Sequence, residues 1–417
     1  MSKMIVEGGY ELEGEVKVSG AKNSAVALLP AAILANKKSI IYGVPNISDI
    51  KYLIEILELL NCKVIHKEDS LIIETDKLIN KPIPEELSVQ MRASYYFMGA
   101  LLSKFKKVEI SFPGGCNIGA RPIDIHIKGF QALGAKVEKI KNRYIITADE
   151  LIGTRIYFDF PSVGATINIM LAAIGAKGIT IIENAAREPE IVNIASFLIS
   201  MGAKIRGAGT SSIEIEGIVN PSNAVGDVFP DRIETGTYIV MGALLGKNLT
   251  IKGIIPAHND ALLTKLKEIG VNYTLYKDKI TISKCKEIKS TNIKTQVYPG
   301  FVTDLQQIMT TLLTQANGES YIEETIYENR FKNTLSLNEM GANTEIIDKN
   351  NLKIIGPTKL IGTEVTATDL RGGASLLLAA LIAKGTTTIN DCDYILRGYG
   401  EIEEKLLSLG AKIKITE

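Results

Sequence analysis

The chain has 417 residues, 46% of them hydrophobic and 23% charged, and its 47 basic and 47 acidic residues give a formal net charge of zero. This balance excludes bulk binding to nucleic acid or to a membrane surface as the main function. The apolar runs are too short to cross a bilayer and the N-terminus lacks an apolar signal segment, so we expect a cytoplasmic protein of two or three domains. The four cysteines are widely scattered, which is typical of reduced thiols rather than of a disulfide framework or a zinc site.

A short pattern recurs six times along the chain at a spacing of about 70 residues, which indicates internal duplication. Each copy has an apolar helix end, then a glycine (an asparagine in the first copy), then a strand, and glycine suits the left-handed position that ends a helix. An alanine- and leucine-rich stretch followed by a β-branched run lies between the copies, so each repeat is predicted to hold two helices with strands after each. The copies begin at Leu60, Leu133, Met201, Ile269, Met340 and Leu409.

The last repeat stops at residues 412–416 and lacks the return strand that follows in the other five. Residues 4–9 have the missing pattern, so we predict that the N-terminal strand completes the last repeat. A linker rich in proline and glycine, residues 218–232, separates three repeats from three. We therefore expect one domain over residues 22–229 and a second over residues 1–21 plus 230–417, with the ligand site in the cleft between them.

Residues 111–122 form a predicted loop that contains a candidate reactive thiol. Cys116 follows two glycines, and Arg121 comes shortly after it, just before Pro122. A guanidinium this near favours the thiolate, and a flexible loop with such a thiol is typical of a mobile lid. The alternative is a glycine-rich turn with an incidental cysteine.

Polar residues recur where a strand passes into an apolar helix. Lys22 and Asn23 could hold an anion at such a point, although Lys22 could also be a solvated lysine near a helix cap. The amides of residues 162–164 suit a phosphate oxygen, and a plain helix cap is equally consistent with them. Asp304 opens an apolar helix and is the strongest candidate for a general base, with an N-cap as the alternative.

Arginine is scarce in this lysine-rich chain, so the positions that keep it are candidates for binding a carboxylate or phosphate through the planar guanidinium. A surface ion pair is the alternative for each of them, and a structural ion pair is expected at Asp231 and Arg232. His126 is expected to be a hydrogen-bonded, partly buried histidine or a member of the site. The candidates are Arg92, Arg121, Arg330, Arg371 and Arg397, with Asp369 beside Arg371.

Motifs for a nucleotide triphosphate loop, a zinc protease, a dinucleotide site or a metal cluster do not occur in the sequence. We therefore expect chemistry carried by side chains, with no metal and no cofactor.

Several motifs together resemble those of the enolpyruvyl transferases over essentially the whole chain. The cysteine loop with its arginine is the most specific of them. The motifs are VSGAKN (18–23), GGCNIGARPIDIH (114–126), SVGAT (162–166), EPEI (188–191), PDRIETGT (230–237), YPGFVTDLQ (298–306), ENRF (328–331), DLRGGASL (369–376) and RGYGEIE (397–403).

The resemblance implies an α/β fold, a two-domain inside-out α/β barrel of six βαβαββ repeats with three per domain. It also implies a reaction in which the 3′-hydroxyl of UDP-N-acetylglucosamine (UDP-GlcNAc) adds to C2 of phosphoenolpyruvate (PEP) and phosphate is then eliminated. This would be the first committed step of peptidoglycan synthesis. The expected partners are these two small molecules, with neither nucleic acid nor membrane, and the protein is expected to be a monomer.

The resemblance also assigns roles to residues. Asp304 would take the hydroxyl or C3 proton, while Cys116 would act as an acid and could form a covalent PEP adduct. Lys22, Arg121 and Arg397 would hold the anionic groups of PEP, Lys22 and Arg397 being counted as catalytic, and Arg92 and Arg371 would help. The residues expected to bind the UDP-sugar or complete the substrate site are Asn23, Pro122, Ile123, Asp124, Ile125, Ser162, Val163, Gly164, Ile326, Arg330 and Asp369.

Two other functions stay open. The sister enzymes of this family act on shikimate 3-phosphate, and the Cys116 loop argues against that substrate because they do not use this thiol. A paralogue that binds UDP-sugar without turnover is the second alternative, and Leu396 supports it because an aspartate commonly precedes the arginine there. Val302 and Glu339 also depart from the usual family residues, which are a proline and a basic residue.

Overall fold

The computed structural model describes residues 2–112 and 123–416. The chain forms two compact units. The first unit contains residues 20–112 and 123–229, and the second contains residues 2–19 and 230–416. Two strands of the second unit open the chain, β1 (Lys3–Glu7) and β2 (Leu12–Lys17).

The first unit alternates helices with short strands. Its helices are α1 (Lys22–Ala31), α2 (Ser48–Leu59), α3 (Glu85–Ser88), α4 (Tyr96–Phe105), α5 (Asp124–Ala132), α6 (Val163–Ala173) and α7 (Pro189–Ser200), with 3₁₀ turns at Ala32–Leu34 and Arg92–Tyr95. Its strands are β3 (Lys38–Tyr42), β4 (Lys63–Lys67), β5 (Ser70–Glu74), β6 (Lys107–Ser111), β7 (Lys136–Ile140), β8 (Arg143–Thr147), β9 (Leu151–Ile152), β10 (Arg155–Tyr157), β11 (Ala176–Lys177), β12 (Ile179–Glu183), β13 (Lys204–Arg206), β14 (Ser212–Glu216) and β15 (Ala224–Asp227).

The second unit repeats this alternation. Its helices are α8 (Arg232–Leu245), α9 (Asp260–Glu268), α10 (Thr303–Leu313), α11 (Asn333–Glu339), α12 (Leu370–Ile382), α13 (Asp393–Leu396) and α14 (Ile402–Ser408), with a 3₁₀ turn at Pro256–Asn259. Its further strands are β16 (Gly246–Lys252), β17 (Tyr273–Leu275), β18 (Lys279–Ile282), β19 (Ile293–Lys294), β20 (Gly318–Glu323), β21 (Asn343–Ile346), β22 (Asn351–Gly356), β23 (Glu364–Thr366), β24 (Thr386–Asn390) and β25 (Lys412–Thr416).

Within the described residues, five repeats build a four-stranded sheet in which one parallel pair is followed by two antiparallel neighbours, and the other builds a three-stranded sheet with a parallel bridge in place of the parallel pair. In the first unit the strand orders are β15-β3-β5-β4, β10-β12-β14-β13 and β6-β8-β7, with a parallel bridge from Ile83 to Ile110 beside β6, and β11 pairs with β9. In the second unit the orders are β2-β16-β18-β17, β19-β20-β22-β21 and β23-β24-β1-β25.

The N-terminal strand completes the last repeat. β1 lies between β24 and β25 and is antiparallel to both, with Met4 opposite Ile389 on one side and Ile415 on the other. It therefore takes the place that the return strand of the hairpin occupies in the other repeats. This prediction from the sequence is confirmed.

One helix from each repeat forms the centre of each unit. In α8 all of Arg232–Leu245 is buried, and α10 packs against both α8 and α12. A helix that is buried on all sides is surrounded by other elements. The strands alternate buried and exposed residues, as in β1 (exposed, buried, exposed, buried, exposed), so each sheet presents one face to these helices and the other to solvent.

The recurring glycine ends the second helix of each repeat as predicted. Its φ is positive, between +92° and +108°, in all five copies that have glycine, and the asparagine of the first copy has φ +64°. A residue with a β-carbon is strained in this left-handed conformation, and asparagine tolerates it better than most. These residues are Asn61, Gly134, Gly202, Gly270, Gly341 and Gly410. The predicted fold class, an inside-out α/β barrel of six repeats, is confirmed.

Candidate active site

In the second unit, the carboxylate of Asp304 lies between two buried arginines. Asp304 is in the first turn of α10, and its oxygens accept bonds from Arg330 Nη2 at 2.5 Å and from Arg371 Nη2 at 3.1 Å. The arginine side chains are 2% and 5% exposed and the aspartate side chain 28%. The N-cap of α10 is Val302, so the N-cap alternative for Asp304 is wrong, and so is the surface-pair alternative for both arginines.

These contacts set the charge state of Asp304. Burial raises the pKa of the carboxyl, but the guanidiniums of Arg371, Arg330 and Arg232 outweigh burial and hold that pKa well below its usual range. Burial lowers the pKa of Arg371, and Asp304 more than offsets this, so the guanidinium stays charged. Asp304 is therefore an anion at neutral pH, and it is a weak base for as long as the arginines hold it.

The position of Arg371 follows from the start of α12. Asp369 caps this helix, because its Oδ1 accepts the backbone N–H groups of Arg371 and Gly372, each at 3.0 Å. The Arg371 guanidinium lies 5.8 Å from the ring centre of Tyr399, whose hydroxyl is 2.8 Å from Thr237 Oγ1. The cap and the aromatic ring together orient the guanidinium towards Asp304.

Arg330 is held by a side chain of α10 and by an aromatic ring of its own loop. Its carbonyl oxygen accepts a bond from Gln307 Nε2 at 3.1 Å, and its guanidinium lies 5.6 Å from the ring centre of Tyr327. In the same loop, the backbone N–H of Ile326 donates to Glu324 Oε1 at 2.8 Å. This stretch therefore places both predicted residues, Ile326 and Arg330, near the start of α10.

Arg397 lies directly after α13 and is half-buried. Its backbone N–H donates to the Asp393 carbonyl oxygen at 3.2 Å. Leu396, one of the departures from the family pattern, is partly buried and packs against the hydrophobic core of the second unit.

In the first unit, Lys22 forms a buried ion pair. Its Nζ is 2.7 Å from Asp49 Oδ2, and the two side chains are 14% and 3% exposed, so the solvated-lysine alternative is wrong. Asn23 Nδ2 donates to Glu190 Oε1 at 3.3 Å. Neither acidic partner is among the residues predicted from the sequence. Two signals could have indicated them. Asp49 lies in the first turn of an amphipathic helix, and Glu190 lies within the EPEI motif.

A cluster of aromatic rings lies beneath the start of α6. The Arg92 guanidinium lies 5.7 Å from the ring centre of Tyr95, and the Tyr95 ring meets His126 edge to face at 4.9 Å. Burial, with a further contribution from Arg92, lowers the pKa of His126 to about 3, so the ring is neutral. Its Nδ1 lies 2.9 Å from Asn168 Nδ2, which agrees with the alternative of a hydrogen-bonded histidine, although the side chain is fully rather than partly buried.

This cluster shapes residues 162–164. Ser162 caps α6, because its Oγ accepts the N–H of Ala165 at 3.3 Å. A β-carbon on Gly164 would lie 2.6 Å from the Tyr95 hydroxyl and 3.0 Å from His126 Cε1, so this position requires glycine. Val163 is the first residue of α6 and is half-buried.

The start of α5 carries three further predicted residues. Ile123 is buried just before the helix, Asp124 is exposed in its first turn, and Ile125 is half-buried. The remaining predicted residues, Cys116, Arg121 and Pro122, lie outside the described residues.

Within residues 2–112 and 123–416, histidine, cysteine, aspartate and glutamate side chains form no group of three that could hold a metal ion. In the same ranges, no helix combines the length and the apolar character that crossing a membrane requires.

Comparison with known proteins gives the family. The family model described as EPSP synthase (3-phosphoshikimate 1-carboxyvinyltransferase) matches residues 6–406. UDP-N-acetylglucosamine 1-carboxyvinyltransferase 2 of Listeria monocytogenes is 49% identical over 411 residues, which cover 99% of this chain and 97% of that protein. The protein of the same name from Bacillus cereus is 48% identical over 414 residues, which cover 99% and 96%.

Solved structures agree with this result. The enolpyruvyl transferase NikO from Streptomyces tendae superimposes with a TM-score of 0.90 at 25% identity, covering 100% of this chain and 99% of that one. EPSP synthase from Acinetobacter baumannii has a TM-score of 0.77 at 16% identity over 100% of both chains, which shows the shared fold alone. The resemblance inferred from the motifs is confirmed, and the chain belongs to the EPSP synthase family of enolpyruvyl transferases.

Proposed function

We propose that this enzyme transfers the enolpyruvyl group of PEP to the 3′-hydroxyl of UDP-GlcNAc and releases phosphate. The observation that carries the proposal is the 49% identity, over 99% of the chain, to a relative named UDP-N-acetylglucosamine 1-carboxyvinyltransferase 2. The addition joins the acceptor oxygen to C2 of PEP and a proton to C3. The elimination then removes a C3 proton and expels phosphate, so that the double bond returns.

In this reaction we assign proton transfer to two groups. Asp304 takes the proton of the acceptor hydroxyl or of C3, and Cys116 acts as the acid that protonates C3. Cys116 can also form a covalent adduct with PEP. Both roles need a group that exchanges its proton near neutral pH.

The charged contacts of Asp304 suggest how it becomes a base. Arg330 and Arg371 hold it as a weakly basic anion. An anionic substrate that draws on the same guanidiniums competes with Asp304 for them, and its own negative charge raises the pKa of the carboxyl. We therefore propose that substrate binding itself activates the base.

The remaining predicted residues are assigned to binding. Lys22, Arg121 and Arg397 hold the phosphate and carboxylate of PEP, with help from Arg92 and Arg371, because a compact polyanion needs fixed cations around it. Arg330 and Asp369 are assigned to the rest of the substrate site. The UDP-sugar is assigned to Asn23, to residues 122–125 and 162–164, and to Ile326.

We further propose that the enzyme acts as a cytoplasmic monomer in the first committed step of peptidoglycan synthesis. Within the described residues, Cys62, Cys285 and Cys392 are free thiols, which suits a reducing compartment.

The proposal is tested by phosphate release from PEP in the presence of either UDP-GlcNAc or shikimate 3-phosphate. We expect release with UDP-GlcNAc only. Release with shikimate 3-phosphate only would assign the chain to the sister activity. No release with either acceptor, together with retained binding of UDP-GlcNAc, would instead favour the paralogue that binds without turnover.

A further inference from the structure

We propose that Glu324 is a positioning residue for the reaction, because its buried carboxylate fixes both the helix turn that carries Asp304 and the turn that carries Ile326. The roles of Asp304 and Ile326 rest on the proposed function. The contacts that Glu324 makes do not depend on it.

Four donors from three segments converge on Glu324, whose side chain is completely buried directly after β20. Oε1 accepts bonds from Thr295 Oγ1 at 3.0 Å, from the Ile326 N–H at 2.8 Å and from the Tyr327 N–H at 3.3 Å. Oε2 accepts a bond from Thr303 Oγ1 at 2.9 Å. The carboxylate therefore joins the end of β19, the turn after β20 and the first residue of α10.

These donors explain why a carboxylate stands at this position. All four are neutral, and a carboxylate has two oxygens that accept several bonds at once. Thr303 begins α10, so the negative charge also lies at the positive end of that helix dipole. A buried carboxylate with each oxygen bonded in this way holds its neighbours in one arrangement.

The two oxygens hold two different parts of the proposed site. The bond from Thr303 Oγ1 to Oε2 of Glu324 fixes the first turn of α10, in which Asp304 directly follows Thr303. Through Oε1, Glu324 fixes the backbone of Ile326 and Tyr327, and the Tyr327 ring lies under the Arg330 guanidinium. Glu324 lies outside the family motifs, the nearest of which begins at Glu328, so its position in the chain gave no signal for this role.

The neighbouring residue provides a matched control. Glu323 ends β20, where alternate side chains point to opposite faces, and its carboxylate pairs at the surface with Lys294 at 2.8 Å. Glu323→Ala therefore removes a carboxylate one position away without touching the buried contacts.

The test measures kcat, KM for UDP-GlcNAc and amide hydrogen exchange at Ile326 and Tyr327. In Glu324→Ala we expect the two amides to exchange at least tenfold faster, KM for UDP-GlcNAc to rise roughly tenfold and kcat to fall roughly tenfold or more. Glu324→Gln should restore all three to within about threefold, because its amide oxygen still accepts three bonds and Thr303 can rotate to accept the fourth. Glu323→Ala should match wild type.

A second variant separates the two oxygens. Thr303→Val removes only the Oε2 contact, so it should lower kcat by roughly five- to tenfold and leave KM for UDP-GlcNAc unchanged. If Glu324→Ala fails to fold, the kcat of Thr303→Val still tests the positioning role of Glu324.

Any one of three results would overturn the positioning role. They are unchanged amide exchange in Glu324→Ala, equal losses of activity in Glu324→Gln and Glu324→Ala, and an unaltered kcat in Thr303→Val. A merely structural role would lower the melting temperature of Glu324→Ala while leaving kcat and KM of the folded fraction unchanged. If wild type releases no phosphate with UDP-GlcNAc, the proposed function fails, and amide exchange still decides whether Glu324 fixes these turns.

Discussion

Replacing Asp304 by asparagine tests the charged contacts that the structure places around it. The substitution keeps the volume of the side chain but removes its charge, and the amide nitrogen then faces one of the two guanidiniums as a donor against a donor. Arg330 and Arg371 are 2% and 5% exposed, so water can replace only a small part of the lost contacts. Two buried cations are thus left with one weak acceptor.

The substitution is expected to lower the free energy of unfolding by about 2–4 kcal/mol. This is the usual range for breaking a buried ion pair, reduced because the Asp304 side chain is 28% exposed. At roughly 2–4 °C per kcal/mol for a unit of this size, the melting temperature should fall by about 4–16 °C. Turnover should fall by about 10²–10⁴-fold, the usual contribution of a general base. UDP-GlcNAc and PEP should bind no more weakly than to wild type, because the guanidiniums lose a competing anion.

The measurements are phosphate release, substrate binding by calorimetry and thermal unfolding. Asp278→Asn, the same substitution at an exposed loop residue of the same unit, serves as the control and should behave as wild type. A kcat for Asp304→Asn within a few fold of wild type would refute the role as base. Much weaker binding of both substrates would refute the competition for the guanidiniums.

The same contacts predict a dependence of stability on pH. Because the pKa of Asp304 is lowered in the folded protein, its contribution to stability is complete above the ordinary carboxyl pKa of about 3.9 and is lost as the pH falls below it. The difference in unfolding free energy between wild type and Asp304→Asn should therefore shrink between about pH 4 and pH 2 in urea titrations. A constant difference across that range would contradict the ion pairing.

Three further substitutions have defined outcomes. Lys22→Met removes the partner that lies 2.7 Å from Asp49, and it should lower the free energy of unfolding measured in urea by about 3 kcal/mol. Adding Asp49→Asn should recover more than half of that loss. A double variant no more stable than Lys22→Met would contradict this. Gly164→Ala should lower the free energy of unfolding by about 1–3 kcal/mol and raise KM for UDP-GlcNAc. Adding Tyr95→Phe should restore part of both, because it removes the atom nearest to the new β-carbon. Cys116→Ala should lower turnover by at least 10²-fold and abolish labelling by an electrophilic epoxide of the fosfomycin type. A fully active variant that still binds the epoxide would contradict both expectations.

Two other thiols serve as internal controls for that labelling. Burial raises the pKa of Cys62 to about 12, against a smaller opposing effect of Lys104, and burial with Asp393 raises the pKa of Cys392 to about 11. Both are therefore protonated near neutral pH and should stay unlabelled in peptide mass spectra.

Much of the fold could be predicted from the sequence because it depends on signals that act over a few residues. The glycine or asparagine that ends a helix, the change from helical to strand periodicity and the recurrence of both defined six repeats. The missing return strand of the last repeat led directly to the pairing of β1 with β25. Similarly, the transition from a strand into an apolar helix indicated Lys22, Ser162 and Asp304 as candidates before any contact was known.

What those residues touch was decided by the tertiary structure alone. The carboxylate partner of Lys22 lies on another helix, the arginines around Asp304 come from two later segments, and the buried role of Glu324 differs from that of its neighbour Glu323. Periodicity along a chain specifies which face of an element is buried. The partners on that face depend on how distant elements pack. The pKa of Asp304 and the neutrality of His126 depend on those partners in turn.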